Sequence, residues 1–446
     1  MNLFSKIQKM LTICILSALI IGVADAQRSI GQTEITRWQY GKKGAVSITY
    51  DDGTINQFRV AVPIMNRLGL PATFYIVTGW FPDAKYPGRF IGRPVSEIIE
   101  ETKTIPTNKD NLFERASAAR YLGLQGTITY FNRAGSAINA GRIEQACTTM
   151  DDLYKKVVAG EFEPETQDRP PVDNDYLLTW DMVKTHVAEG HEFASHMITH
   201  PYMCALDETN LKYELEKSRE EILKQIGLRY TFSAELPYGI QDKRALEYAH
   251  KLYPALRNSM PEEYVLELHR SNRQTPINDD YEYVFWERGI VSNTTMDEMN
   301  GWVDIAAERN NIWLITVIHG IDGIGWEPLT SRTIEDHFSH IKSKENDLWF
   351  ATFADASRYI QTRMNTTVSH SQKAGAIHVK LANSLNKKLY DIPLTLKTYV
   401  DPLWREVRVK QGKSITKVDV RREGPDAYVM YQAMPGKGTV VLTAGN

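Results

Sequence analysis

The sequence predicts an α/β fold: a distorted (β/α) barrel of about seven strands with a helical insertion, followed by a small C-terminal all-β sandwich. Three observations predict it. From Gly44 to about position 363, short β-branched apolar runs alternate with segments of helical period, the pattern of strand–helix units on a parallel sheet. Between about 82 and 175 that alternation is interrupted by a long segment with helical stretches of its own. Beyond Asn365 the period shortens to that of alternating strands. The expected domains are therefore a signal peptide over 1–26, a barrel over 27–365 with its insertion at about 82–175, and a sandwich over 366–446.

The chain has 446 residues and a formal net charge of −3, without a basic block, so no nucleic-acid partner is expected. Lys6 and Lys9 precede an apolar run from Met10 to Val23, and Ala24-Asp25-Ala26 ends it. This is the layout of a signal peptide cleaved before Gln27, which predicts export to the periplasm or the extracellular space. The run is short for a bilayer span, so no stable membrane insertion is expected after cleavage. Cys14 leaves with the signal; Cys147 and Cys204 remain, outside any metal-type spacing and with their pairing open. The oligomeric state is not legible.

In chain order, the run ending Ser47-Ile48-Thr49-Tyr50-Asp51-Asp52-Gly53 is the first strand and its turn. Thr54 then caps a helix carrying Val60, Ile64 and Leu68, which Gly69 closes. Ala72 to Val77 is the next strand, and helices are expected near 92–102, 110–122 and 140–158 inside the insertion. The insertion either shapes the substrate cleft or is a stabilising appendage. After it, Thr179 caps a helix ending at Gly190, His191–Ser195 is a short strand, and Glu208–Ile226 is a long amphipathic helix. Further strands are expected at Tyr230–Ala234, near Ala255, at Tyr281–Ile290, at Ile312–Ile318 and at Leu348–Thr352. In the C-terminal region Ser369–Gly375 reads as a linker. Tyr390, Tyr399 and Trp404 are either ligand-stacking aromatics or core.

The chemistry-bearing residues all fall where barrel strands end, the place such folds use for catalysis. Adjacent carboxylates in a strand point apart, but at its end, with Gly53 able to turn, Asp51 and Asp52 can both enter one mouth. His196 and His200 are four apart, and one helical turn would aim both imidazoles the same way, although Pro201 limits this to a single turn. With Asp52 they make a two-histidine, one-carboxylate set that leaves a divalent metal open to water, with Asp51 as the base. His319 would be the acid, and Pro237, lacking an N–H, leaves the Tyr238 backbone N–H as the first donor for an oxyanion. Each has a local alternative: an Asp-Asp-Gly turn, two unrelated histidines, a loop histidine and a Pro-Tyr-Gly turn.

Taken together, Thr49-Tyr50-Asp51-Asp52-Gly53, His196-x-x-x-His200, Leu236-Pro237-Tyr238-Gly239 and Ile318-His319 resemble the motifs of the polysaccharide deacetylases of carbohydrate esterase family 4, across about 44–365. The resemblance implies a distorted (β/α) barrel, a divalent metal, usually zinc, held by Asp52, His196 and His200, and Asp51 as base. It also implies His319 as acid, Tyr238 N–H on the oxyanion, and removal of acetyl groups from N- or O-acetylated sugars. Two departures stand out. Where the family carries an arginine two residues before the proline, this chain has Glu235, and the supporting Asp/Trp motif is represented only by the candidates Asp279, Asp280 and Trp286. The expected function is a secreted, metal-dependent deacetylase of an acetylated oligo- or polysaccharide. The alternative is a carbohydrate-binding protein that keeps the barrel and metal site with little turnover.

Overall fold

The computed structural model describes residues 28–165, 178–240, 242–257, 259–261, 264, 268–271 and 283–445. The expected signal peptide and the candidates Asp279 and Asp280 lie outside the described residues. The chain divides into two compact units. One is Thr36–Thr366 with Asn383–Leu394; the other is formed, among the described residues, by 28–35 with Thr367–Ala382 and 395–445. A single cut at 365–366 therefore does not describe the chain, which returns to the larger unit at Asn383–Leu394.

The first strand, β1 (Thr33–Ile35), belongs to the smaller unit. The larger unit is built on a nine-stranded sheet whose pairs are all parallel. Its strands are β2 (Gly44–Asp52), β3 (Ala72–Ile76), β4 (Glu192–Ser195), β5 (Ser233–Ala234), β6 (Ala255–Leu256), β7 (Leu268–Ser271), β8 (Tyr283–Gly289), β9 (Ile312–Ile318) and β10 (Leu348–Phe350). The order is β6-β5-β4-β3-β2-β9-β8-β7, with β10 also on β2. Since β9 pairs with 45–50 of β2, β10 on 44–46 and β3 on 48–52 must share the other edge of that strand. That shared edge is the distortion of the barrel. β5 and β6 are two residues each, and Leu268-His269-Arg270-Ser271 is an unexpected strand because it carries neither β-branched residues nor an alternating pattern.

Helices cover the sheet, so its strands read as continuous apolar runs; β2 is buried at every position but the last. Val46, Ile48, Tyr50, Phe74, Ile76 and Leu314 form one core with residues of the surrounding helices. The helix after β2 begins as a π-turn, Gln57–Ala61, before becoming regular over Val62–Leu68. π-Turns are frequent at functional sites.

The insertion holds four helices, Val95–Thr102, Leu112–Ala119, Thr127–Asn139 and Ile143–Val158. The third was not expected: its Thr, Ile, aromatic and Gly content is poor in helix formers, and burial of Phe131, Ala134 and Ala137 overrides that weak propensity. These helices share a core with Met197, Met203 and Cys204, which lie around and beyond the paired histidines. Cys204 is buried and, like Cys147, a free thiol.

The smaller unit contains a four-stranded sheet, β1-β13-β17-β16, and a five-stranded sheet, β11-β12-β18-β14-β15. The strands are β11 (Thr367–Lys373), β12 (Ala376–Ala382), β13 (Leu394–Tyr399), β14 (Glu406–Gln411), β15 (Ser414–Asp419), β16 (Arg421–Glu423), β17 (Asp426–Ala433) and β18 (Val440–Ala444). Burial alternates along β12 and β17, as expected from their period of two. The stretch read as a linker is instead strand β11, which pairs antiparallel with β12. Its polar residues are exposed on an edge strand, which is why they resembled a linker. Tyr399 is buried in this unit, and Tyr390 lies in the larger one.

Candidate metal and acid–base site

Strand register explains why distant residues meet. Asp52 pairs with Ile76, Ile76 with Ser195, Ser195 with Ala234, Ala234 with Leu256, and Tyr50 with Ile318. The residues at or just past those ends, Asp51, Asp52, His196, Glu235, Arg257 and His319, therefore share one rim of the sheet.

At that rim the backbone turns left-handed. Asp52 has φ 72°, Met197 68°, His200 56° and Tyr238 63°. Such conformations cost on the order of 1 kcal/mol or more for residues with a Cβ and are retained at sites where geometry matters. The turn thus begins at Asp52 itself, one residue before Gly53, and this lets two adjacent carboxylates serve one mouth. The segment between His196 and His200 is likewise a turn rather than a helical one. Pro201 disfavours right-handed helical geometry at His200, and the left-handed turn brings the two rings together by another route.

Asp52 Oδ1 lies 3.8 Å from His196 Nε2 and 3.4 Å from His200 Nε2. One ligand atom from each of the three residues falls within 4.8 Å of the others. Asp52 Oδ1 is buried and has no hydrogen-bond partner among the described residues. The Glu235 carbonyl oxygen lies 3.0 Å from His196 Nδ1. A carbonyl can only accept, so Nδ1 carries the proton and Nε2 presents its lone pair to the cluster. Burial lowers His196 to about 4, and burial with the neighbouring His196 lowers His200 to about 2, so both imidazoles are neutral near pH 7. Burial and then the Asp51 charge push Asp52 up to about 7; a cation among the three side chains opposes both effects. Two neutral imidazoles, one carboxylate and an orphaned buried oxygen fit a divalent metal with an open position.

Asp51 has a separate environment. Arg257 donates from Nη1 to its Oδ1 at 2.8 Å and from Nη2 to its Oδ2 at 2.6 Å. Both side chains are at least 95% buried. Burial alone would raise the Asp51 carboxyl, but Arg257, with His196 and His319, outweighs it and holds the group well below the usual carboxylate range. Arg257 also donates to Thr49 Oγ1, lies over the Tyr75 ring, and approaches Glu235 Oε2 at 3.3 Å and Glu287 Oε2 at 3.9 Å. A cation thus reaches Asp51 although the expected arginine position holds Glu235: it arrives from the end of β6, and Glu235 is a carboxylate facing it. Sequence reasoning missed Arg257 and Glu287. The available signal was an arginine directly after a strand near Ala255, at the rim where the other site residues fall. Of the supporting-motif candidates, Trp286 lies on β8 and packs in the core.

His319 Nε2 lies 3.5 Å from Asp51 Oδ2, and its Nδ1 has no hydrogen-bond partner among the described residues. Burial lowers its proton affinity while Asp51 raises it. The exposed Trp326 packs edge-on against its ring at 4.8 Å. Gln57, from the π-turn, donates to the Asp51 carbonyl at 2.6 Å and the His319 carbonyl at 2.8 Å, tying the two strand ends together. Tyr238 stacks on Tyr202 at 3.9 Å and meets the His200 ring edge-on at 4.7 Å. A cavity of about 930 Å³ opens beside Asp52, with walls from the insertion as well as from the barrel.

The fold and this cluster define an α/β protein with a metal-type centre at the ends of parallel strands. Residues 138–254 match the family model described as polysaccharide deacetylase, the family that the four motifs resemble. The match contains His196, His200 and Tyr238 and stops short of Asp51, Asp52 and His319. A gellan lyase from a Bacillus species is 26% identical over 278 residues, 58% of this chain and 11% of that protein. The chain thus spans about a tenth of the curated relative it matches. Among solved structures, a putative polysaccharide deacetylase from Mycobacterium smegmatis is similar at 10% identity and TM-score 0.36, over 77% of this chain and 99% of that one. A family 4 carbohydrate esterase from Streptomyces lividans in complex with acetate is similar at 12% identity and TM-score 0.31, over 69% and 91%. The chitin deacetylase of Colletotrichum lindemuthianum is similar at 12% identity and TM-score 0.32, over 74% and 92%. Scores this low decide nothing about the chemistry.

Proposed function

We propose that this protein is an exported, metal-dependent hydrolase that removes acetyl groups from an acetylated carbohydrate, as an N-acetyl amino sugar or an O-acetyl ester. The observation that carries the reading is the division of labour between neighbours. Asp52 faces two neutral imidazoles, while Asp51 is kept ionised by the bidentate Arg257 and faces His319. A divalent ion held by Asp52, His196 and His200, zinc by the chemistry of the donors, would supply Lewis-acid polarisation of the acetyl carbonyl. The Asp51 carboxylate takes a proton as water adds to that carbon. The Tyr238 backbone N–H donates to the oxygen that gains charge, and His319 Nε2 gives a proton to the departing amine or alcohol. One water is consumed, and acetate and the free amine or hydroxyl are the products. The family segment over 138–254 supports the same substrate class.

The second reading, a binding protein with little turnover, rests on Glu235 and on the supporting Asp/Trp motif, of which Asp279 and Asp280 lie outside the described residues. On the first ground Arg257 favours the hydrolase, because it supplies the cation that position 235 lacks. The test is acetate release from acetylated chitin oligomers, peptidoglycan fragments and acetylated xylan. Release should stop with a chelator and with Asp51→Asn, and return when zinc is added back to the chelated protein. Absence of acetate from every substrate with metal supplied would refute the reading.

A further inference from the structure

The cavity beside Asp52 is large for an acetyl group. Its volume of about 930 Å³ lies at the upper end of the roughly 300–1,000 Å³ usual for ligand sites. One wall is the barrel loop through Trp80 and Phe81, and the other is the insertion, through Arg89, Phe90, Arg120 and Tyr121. The same cavity reaches Asp52 and Thr199, so whatever fills it is continuous with the metal-type cluster.

Its charge is uneven. Among the described residues, besides Asp52, two guanidinium groups line it against one carboxylate, Glu165. Arg89 is exposed and lies over the Tyr213 ring at 5.3 Å; among the described residues it forms no ion pair. Arg120 donates from Nε to Thr199 Oγ1 at 3.2 Å and to the Thr199 carbonyl, which orients its guanidinium beside the histidine loop. The nearby buried Glu214, whose oxygens accept from the Thr199 hydroxyl and from the Ile198 and Thr199 amides, attracts the guanidinium at longer range but among the described residues makes no direct salt bridge to it. An arginine that is held in place and faces a ligand-sized space without a carboxylate on it suits a planar anion, which it can take through two parallel hydrogen bonds. Trp80, nearly half exposed on the barrel wall, offers a flat apolar face for a sugar ring.

We propose that this cavity is a subsite for a carboxylated sugar, a uronic acid residue adjoining the acetylated one, with its carboxylate on Arg89 and Arg120. The proposal rests on the deacetylase reading for the identity of the neighbouring sugar. It gives the insertion a role in choosing an acidic glycan over a neutral one.

The test is binding, so it does not depend on turnover. The full chain is titrated calorimetrically with a non-acetylated oligogalacturonate and, separately, with a neutral cello-oligosaccharide of equal length. The acidic ligand should bind about tenfold tighter or more, as a bidentate charge-assisted pair allows, and the difference should shrink as salt rises. Arg89→Gln, on an exposed side chain outside the cluster, should bring the acidic ligand down towards the neutral one. Equal binding of the two ligands, or a preference that survives Arg89→Gln, overturns the proposal. Failure of acetate release alone would count against the deacetylase reading and leave this binding result standing.

Discussion

Arg257 grips Asp51 through two hydrogen bonds of 2.8 and 2.6 Å, between residues 206 positions apart and both almost wholly buried. One guanidinium sets the charge of the neighbour of a metal-type ligand. Its removal should be felt in both stability and chemistry. Arg257→Met leaves Asp51 buried without its counterion, a change that costs on the order of 3–5 kcal/mol in such pairs. With the cation gone, burial dominates and the Asp51 proton affinity rises, so the acidic limb of the kcat/KM profile should move to higher pH. Arg257→Lys keeps a charge but loses the fork and should fall between the two. The measurements are urea unfolding and a pH profile of acetate release.

The Asp52, His196 and His200 cluster predicts a metal stoichiometry. Alanine at any of these positions should lower zinc affinity by more than the roughly 10–100-fold typical of losing only an outer partner. Bound metal measured after gel filtration should fall in step with activity, while far-ultraviolet circular dichroism stays unchanged. A variant that keeps its metal would remove that residue from the ligand set.

Gly135 carries the insertion into the site. A Cβ there would stand 2.4 Å from Tyr202 Cβ and 2.5 Å from its Cγ, and Tyr202 is the ring stacked on Tyr238. Gly135→Val should destabilise by about 1–3 kcal/mol through overpacking and should raise KM as Tyr202 shifts against Tyr238. Thermal unfolding and steady-state kinetics on one substrate check both effects. If the insertion is only an appendage, stability falls and KM does not move.

His191 gives a pH dependence of stability away from the metal cluster. Its Nδ1 accepts from the Ala72 amide at 3.2 Å, so its other nitrogen, 2.9 Å from Asn66 Oδ1, must be the donor. Protonating Nδ1 would set two N–H groups against each other. Burial first, then His186, lowers it from 6.5 to about 4. Between those values the unfolded chain binds the proton and the folded chain does not, so stability contributed here falls as pH drops through that window. The loss at pH 4.5 should be on the order of 2 kcal/mol. His191→Gln should be less stable than wild type at pH 7 yet lose less between pH 7 and pH 4.5, as urea midpoints at the two pH values would show.

Much of the site was legible in the sequence because its residues are local. Asp51 and Asp52 are neighbours, His196 and His200 are four residues apart, Tyr238 follows a proline a few residues past a short strand, and His319 directly follows an apolar one. Periodicity revealed the parallel sheet for the same reason, since a strand buried on both faces must be apolar throughout. What failed were the segments whose composition argued against their state, such as Thr127–Asn139, helical through burial, and Thr367–Lys373, a polar edge strand.

The sequence by itself determined the strand–helix order, the rim on which chemistry could occur, and the carboxylates and imidazoles that meet there. Only the tertiary structure decided that Arg257 replaces the arginine absent at 235, that Asp52 turns left-handed to part from Asp51, and that the insertion builds a wall of the cavity. It also decided that Asn383–Leu394 returns to the larger unit. The physical reason is that a bidentate ion pair depends on which strands lie side by side and in what register. The pairing of Ser195 with Ala234 and of Ala234 with Leu256 brings Arg257 to Asp51, and no spacing along the chain encodes it.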